Sequence, residues 1–250
     1  MDGVVKRYEE VTERVAEASR KAGREPGSVR LLPVAKTWSV DHISGLLRHE
    51  PGLMLAENKV QEAEAKATEC VEQGLDARWS IVGHLQRNKA KFVARFADEL
   101  QTLDSVALAR ELQKRLDTED RTLDVMIQVN TSGEEQKFGV EPDAALTLAR
   151  ELAAFDRLRL TGLMTVAIEG DHAQDQSEVA ACFDRLVDVQ QRLRDDDTVT
   201  GCVEDLSMGM SGDFELAIAH GATTVRVGTA IFGARDYTCL LYTSPSPRDS

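Results

Sequence analysis

The chain has 250 residues, 42% of them hydrophobic and 29% charged, with a formal net charge of −13. That composition belongs to a globular protein. An acidic balance of this size argues against duplex or RNA binding, which draws on basic faces, but leaves room for a basic pocket that takes a small anion. No apolar run reaches the roughly 18 residues that span a bilayer. The N-terminus, MDGVVKRYEEVTERV, lacks the apolar core and cleavage site of a signal peptide. The expectation is a cytoplasmic protein with no membrane association. The four cysteines, Cys70, Cys182, Cys202 and Cys239, show no metal-ligand or redox spacing. Cys70 and Cys182 read as small core residues on apolar helix faces, so neither a zinc site nor a disulfide framework is expected.

In chain order, a first helix is expected over 3–22, ending at Gly23. A strand follows at 30–36 (RLLPVAK) and a second at 53–56 (LMLA). The helical pattern of 57–73 places Val60, Ala63, Ala67 and Val71 on one face, with Gly74 as a C-cap. Strands are read at 79–83 and 100–103. The helix of 105–117 starts with Ser105 as N-cap and buries Val106, Ala109, Leu112 and Leu116. A strand at 123–130 precedes a helix over 142–154 that begins on Pro142, a residue suited to a first helical position. A strand at 158–165 leads to the helix of 177–193, which carries Val179, Cys182, Phe183, Leu186 and Leu193 at helical spacing. Strands at 203–209 and 223–227 flank a helix over 213–220, and AIFG forms a last short helix.

Eight strands alternating with helices fit either a (β/α)8 barrel or an open doubly wound sheet. A dinucleotide-binding sheet would place a glycine-rich turn after its first strand. VAKTWSVD contains no glycine. The α/β class is therefore read as a single (β/α)8 TIM barrel with an extra N-terminal helix, occupying 1–237. The remainder, TCLLYTSPSPRDS over 238–250, has no periodicity and reads as an unstructured, non-native tail in which Cys239 and Tyr242 carry no function.

In such a barrel the C-terminal ends of the strands form the active face. Two turns there are built of small residues beside a hydroxyl. Ser211-Gly212 precedes a helix and Gly228-Thr229 opens another. Exposed amides at helix starts bind phosphate, and barrels often place phosphate after strands seven and eight. The first strand ends on Lys36. Desolvation favours the neutral, nucleophilic form of an amine, and such amines form imines with carbonyl compounds. A lysine facing an anion cradle points to a phosphorylated aldehyde or ketone. Pyridoxal phosphate (PLP) and a sugar phosphate in a Schiff-base aldolase both satisfy that description.

The blocks LLPVAKT, LAENKVQEA, WSIVGHLQRNKAK, VNTSGEEQKFGV, LTGLMTVA and DLSMGMSGDFELAIAHGATTVRVGTAIFGARDY resemble the pyridoxal phosphate homeostasis proteins, over about residues 5–237. The sequence departs from that family at Ala56, where glycine is usual, and at Gly212, where an acidic residue is common. The resemblance implies a barrel similar to the N-terminal domain of alanine racemase. It implies that Lys36 holds PLP as a Schiff base and that the Ser211–Gly212 loop and the Gly228–Thr229 turn hold the phosphate. Arg226 would face the pyridine nitrogen, and Asn58 would lie near the lysine and the ring. His84 and Lys137 stay open between a structural role and one near the cofactor.

The resemblance also implies a non-catalytic carrier involved in intracellular PLP homeostasis, which releases or transfers PLP to apo-enzymes and acts as a monomer. An arginine at the pyridine nitrogen disfavours ring protonation and so weakens the electron sink that carbanion chemistry needs. Racemisation also requires proton exchange on both faces of the α-carbon. Tyr8, Tyr237 and Tyr242 are the only tyrosines, and no second domain is expected to supply another acid–base group. A weak PLP-dependent amino-acid racemase is the alternative reading.

Overall fold

Eight parallel strands follow one another around a barrel in the computed structural model, which describes residues 3–134, 136–168 and 176–233. They are β1 Arg30–Pro33, β2 Leu53–Glu57, β3 Ala77–Ile81, β4 Glu99–Leu103, β5 Leu123–Gln128, β6 Leu158–Met164, β7 Asp205–Ser207 and β8 Thr224–Val227. The hydrogen-bonded order is β1-β8-β7-β6-β5-β4-β3-β2. The seam between β1 and β2 closes through a single parallel bridge, Val34 to Ala56. Proline explains why the ladder is so short there. Val34 N–H donates to Val227 on β8 and Ala35 N–H donates to Ala56 on β2, at 2.9 Å each. Alternation therefore aims position 33 at β2, and Pro33 has no N–H to give.

The helices are α1 Gly3–Lys21, α2 Val40–His49, α3 Val60–Glu72, α4 Ala90–Phe96, α5 Val106–Glu119, α6 Pro142–Leu152, α7 Gln176–Arg194, α8 Phe214–Ala219 and α9 Thr229–Phe232. Their ends follow local chemistry. Ser105 accepts from the amide of Leu108 at 3.3 Å, Ser39 caps α2 through His42 N–H, and Gly23 and Gly74 adopt φ of 70° and 65° after α1 and α3. One expectation on α3 fails. Val71 is 78% exposed, and Cys70 is buried in its place. At 100° per residue both lie about 50° from the centre of the Val60–Ala63–Ala67 stripe, and the docking angle of α3 on the barrel selects Cys70. The tail expected over 238–250 lies outside the described residues.

The main apolar core fills the layer between strands and helices. Inside the barrel, Leu32, Val34 and Ala56 form a separate small cluster with Met54 and Val82. Much of the remaining interior is polar and buried, including Ser80, Glu99, Gln101, Ser207, Thr224 and Arg226. Helix α1 closes the helical ring from outside. Arg7 Nε donates to Ile231 O at 2.6 Å, Arg24 donates to Ala222 O at 2.7 Å, and the Arg14 guanidinium lies 4.8 Å from the Phe214 ring centre. Among the described residues no helix is long and apolar enough to cross a membrane.

Candidate functional site

A cavity of about 350 Å³ opens at the C-terminal mouth of the barrel, within the range of small-molecule sites. Lys36, Asn58, Ser211, Gly212, Arg226, Gly228 and Thr229 all line it. These seven were singled out from five separate stretches of sequence, and the barrel brings them to one place. The wall is completed by groups that the sequence reading missed, chiefly Trp38, Met210 and Val166. Trp38 is two residues beyond Lys36 and stacks on His42 with ring centres 4.1 Å apart.

Lys36 sits in a turn rather than at the end of a strand, because β1 stops at Pro33. The residue after it, Thr37, has φ of 72°. A β-branched side chain in the left-handed region is strained, so surrounding contacts must impose the turn. Lys66 on α3 supplies one. Its ammonium donates to the carbonyl of Ala35 at 2.8 Å and pairs with Glu57, the last residue of β2. The Glu57 side chain is fully buried. Burial pushes its carboxyl pKa up, and the Lys66 charge only partly opposes that. Its second oxygen has no hydrogen-bond partner among the described residues. This pair was not legible in LAENKVQEAEAK, since nine positions separate the partners and neither stands out from a solvated helix start.

Asn58 follows β2 at the rim and is exposed. Its backbone packs against Gly83, where an added Cβ would lie 2.1 Å from Asn58 O. Gly83→Ala is therefore expected to force the ends of β2 and β3 apart and destabilise the protein by about 3 kcal/mol, measurable by urea unfolding.

Arg226 is 5% exposed on β8. It donates to Ser207 Oγ at 2.8 Å and to Thr165 O at 2.7 Å. The two small-residue turns flank it. Gly209 has φ of 91°, and a Cβ there would come within 2.5 Å of Ala217 Cβ. Only glycine lets the 209–212 segment lie this close against α8. Asp213 Oδ1 accepts from Met210 N–H at 2.5 Å and braces the same loop. Gly228 precedes α9, and Thr229 is its first residue.

His84 and Lys137 do not line the cavity. His84 stacks on Phe138 at 3.9 Å between ring centres and faces Asp104 at 3.4 Å. Lys137 donates to Ala167 O at 2.8 Å and pairs with Glu134 at 2.6 Å. Cys70 and Cys182 are buried and Cys202 is exposed. Burial lifts the Cys70 thiol pKa to about 11. Among the described residues no group of His, Cys, Asp and Glu could hold a metal ion.

Residues 8–236 match the family model of the alanine racemase N-terminal domain. A pyridoxal phosphate homeostasis protein of Vibrio cholerae is 38% identical over 95% of this chain and 99% of its own length. The chain belongs to the pyridoxal phosphate homeostasis protein family. A solved structure of similar sequence is that of PipY of Synechococcus elongatus with PLP bound. It superposes with a TM-score of 0.72 at 30% identity, covering 88% of this chain and all of PipY. D-threonine aldolase of Filomicrobium marinum shares the fold, with a TM-score of 0.68 at 24% identity over 91% of this chain and 60% of the aldolase. Homeostasis proteins and enzymes thus use one barrel, and the fold does not decide between them.

Proposed function

We propose that this protein is a reversible, non-catalytic holder of PLP that serves intracellular PLP homeostasis. The observation that carries the reading is the cavity itself: an amine, a buried guanidinium and two small-residue turns meet in a space of about 350 Å³. Each group has a counterpart on PLP. The Lys36 amine adds to the aldehyde carbon, and water leaves as the carbon–nitrogen double bond forms. The Ser211 and Thr229 hydroxyls and the amides around Gly212 and Gly228 receive the phosphate. Arg226 faces the pyridine nitrogen, and Asn58 lies at the rim near Lys36. PipY, solved with PLP bound in a similar barrel, supports the assignment. A sugar phosphate aldolase would use the same amine and cradle but has no need of a buried guanidinium for a ring nitrogen.

The non-catalytic part rests on Arg226. Its charge is fixed by two buried acceptors, and a protonated pyridine facing it would place two positive charges together. The ring therefore stays a weak electron sink. The partner of such a protein is a PLP-dependent apo-enzyme that accepts the released cargo.

The test is isotope exchange. The PLP-loaded protein is incubated with alanine or serine in D2O, and deuterium at the α-carbon is followed by NMR. Exchange at the rate of free PLP is expected, together with reactivation of an added apo-enzyme. Exchange far faster than free PLP, lost in Lys36→Ala, would establish the racemase reading instead.

A further inference from the structure

Arg226 is one end of a buried chain of hydrogen bonds that crosses the barrel interior. Ser207 Oγ accepts from Arg226 Nη1 and donates to Gln101 Oε1 at 2.6 Å. Gln101 Nε2 donates to Glu99 Oε1 at 2.6 Å. Glu99 also accepts from Ser80 Oγ at 2.7 Å and from Arg30 Nη2 at 2.8 Å. Arg30 and Glu99 open β1 and β4, so the chain runs from the N-terminal mouth to the cavity at the other. Glu99, Ser80, Gln101, Ser207 and Arg226 are all buried.

The direction of every link is forced. A carboxylate only accepts, so the Gln101 amide nitrogen must face Glu99 and its carbonyl must face Ser207. The hydroxyl of Ser207 then donates to that carbonyl and turns a lone pair toward Arg226. Reversing any one link would set two donors or two acceptors against each other in a buried site, which is costly. On the other side, the Thr165 segment that receives Arg226 Nη2 is pinned by Thr165 Oγ1 donating to Val129 O at 2.8 Å. The guanidinium is thus held by a backbone carbonyl on one side and, on the other, by a hydroxyl whose polarity is set from Glu99 outward.

We propose that Gln101 and Ser207 are positioning residues for PLP: they orient Arg226 toward the ring nitrogen while never touching the cargo themselves. The proposal rests on the PLP-holding function argued above. Neither residue was singled out from sequence. Gln101 lies within the strand-like run LQTL and Ser207 within LSMG, on β4 and β7, three strands apart around the barrel.

The experiment is a double-mutant cycle on the full chain. PLP dissociation constants are measured for the wild type, Gln101→Leu, Ser207→Ala, Ser207→Thr and Arg226→Met, and for the first two changes combined with Arg226→Met. Gln101→Leu and Ser207→Ala are each expected to weaken PLP about tenfold, the scale of one hydrogen bond to a charged group. In the Arg226→Met background either change adds less than about twofold, because nothing remains to be positioned. Ser207→Thr keeps the hydroxyl and restores binding. The pH midpoint of the visible absorption band of lysine-bound PLP moves in Gln101→Leu and Ser207→Ala in the same direction as in Arg226→Met. A purely structural role would lower Tm but weaken PLP equally in both backgrounds, and that result would overturn the proposal. So would folded variants with unchanged binding and titration. Should Gln101→Leu fail to fold, Ser207→Ala, which deletes one oxygen, carries the cycle alone. Absence of any Lys36 adduct in the wild type would defeat the PLP reading as a whole; an adduct with an additive cycle would defeat only the relay.

Discussion

Lys36→Ala is expected to abolish the PLP adduct that borohydride should fix on the wild-type protein, and to weaken PLP binding on the order of a hundredfold or more. The reasoning starts from the turn. Lys36 is half-buried at the cavity wall. In contrast to Lys66 beside it, its ammonium makes no ion pair with the described residues. The amine is thus available to the aldehyde, while the proposed phosphate and ring contacts of Ser211, Thr229 and Arg226 would survive its removal. The variant should retain weak, non-covalent binding. Peptide mapping of the reduced wild-type protein is expected to place the pyridoxyl mass on the peptide containing Lys36. Adducts spread over exposed lysines, or an undiminished adduct in Lys36→Ala, would sink the assignment.

Lys66→Met is expected to cost about 3–5 kcal/mol of stability, a fall in Tm of roughly 10 °C. Removing one partner leaves the fully buried Glu57 carboxylate uncompensated. The same change frees the Ala35 carbonyl that fixes the strained Lys36–Thr37 turn, so PLP binding should weaken as well. The double variant Glu57→Leu/Lys66→Met is expected to recover much of the stability, because no charge is then left in the interior. The pH dependence follows from burial, which raises the Glu57 carboxyl in the folded protein. Between the unfolded and the raised folded value, the folded state binds more protons. The contribution of this group is therefore greatest below the unfolded carboxyl value and is lost as pH rises through the folded one. Lys66→Met should steepen that loss, and Glu57→Gln should remove it. Thermal melts from pH 4 upward measure both; a Lys66→Met melt that matches wild type across the range would contradict the buried pair.

The barrel and most of the wall of its cavity are legible in local sequence pattern. Strand periodicity and eight strand–helix repeats are local properties, legible in runs such as LDVMIQ and LRLTGLM. Caps at Ser105, Gly23 and Gly74 are local as well. Lys36, Ser211, Gly212, Gly228 and Thr229 could be found because barrel chemistry sits just beyond the strands, at places visible in one dimension; Asn58 and Arg226 are reached through the family resemblance. Whatever depends on a partner distant in the chain is settled only when the elements pack. Val71 and Cys70 are equivalent on the helix, and only the docking of α3 separates them. Pro33 withholds one hydrogen bond from β2 because its missing N–H faces that strand, and the chain leaves β1 before Lys36 in a turn at Thr37; both depend on register and on contacts distant in sequence. The Glu57–Lys66 pair and the chain from Glu99 through Gln101 and Ser207 to Arg226 consist of ordinary polar residues in ordinary positions. Their meaning arises when closure of the barrel removes water from them. A buried polar group must find a partner across the fold, and the sequence names the group without naming the partner.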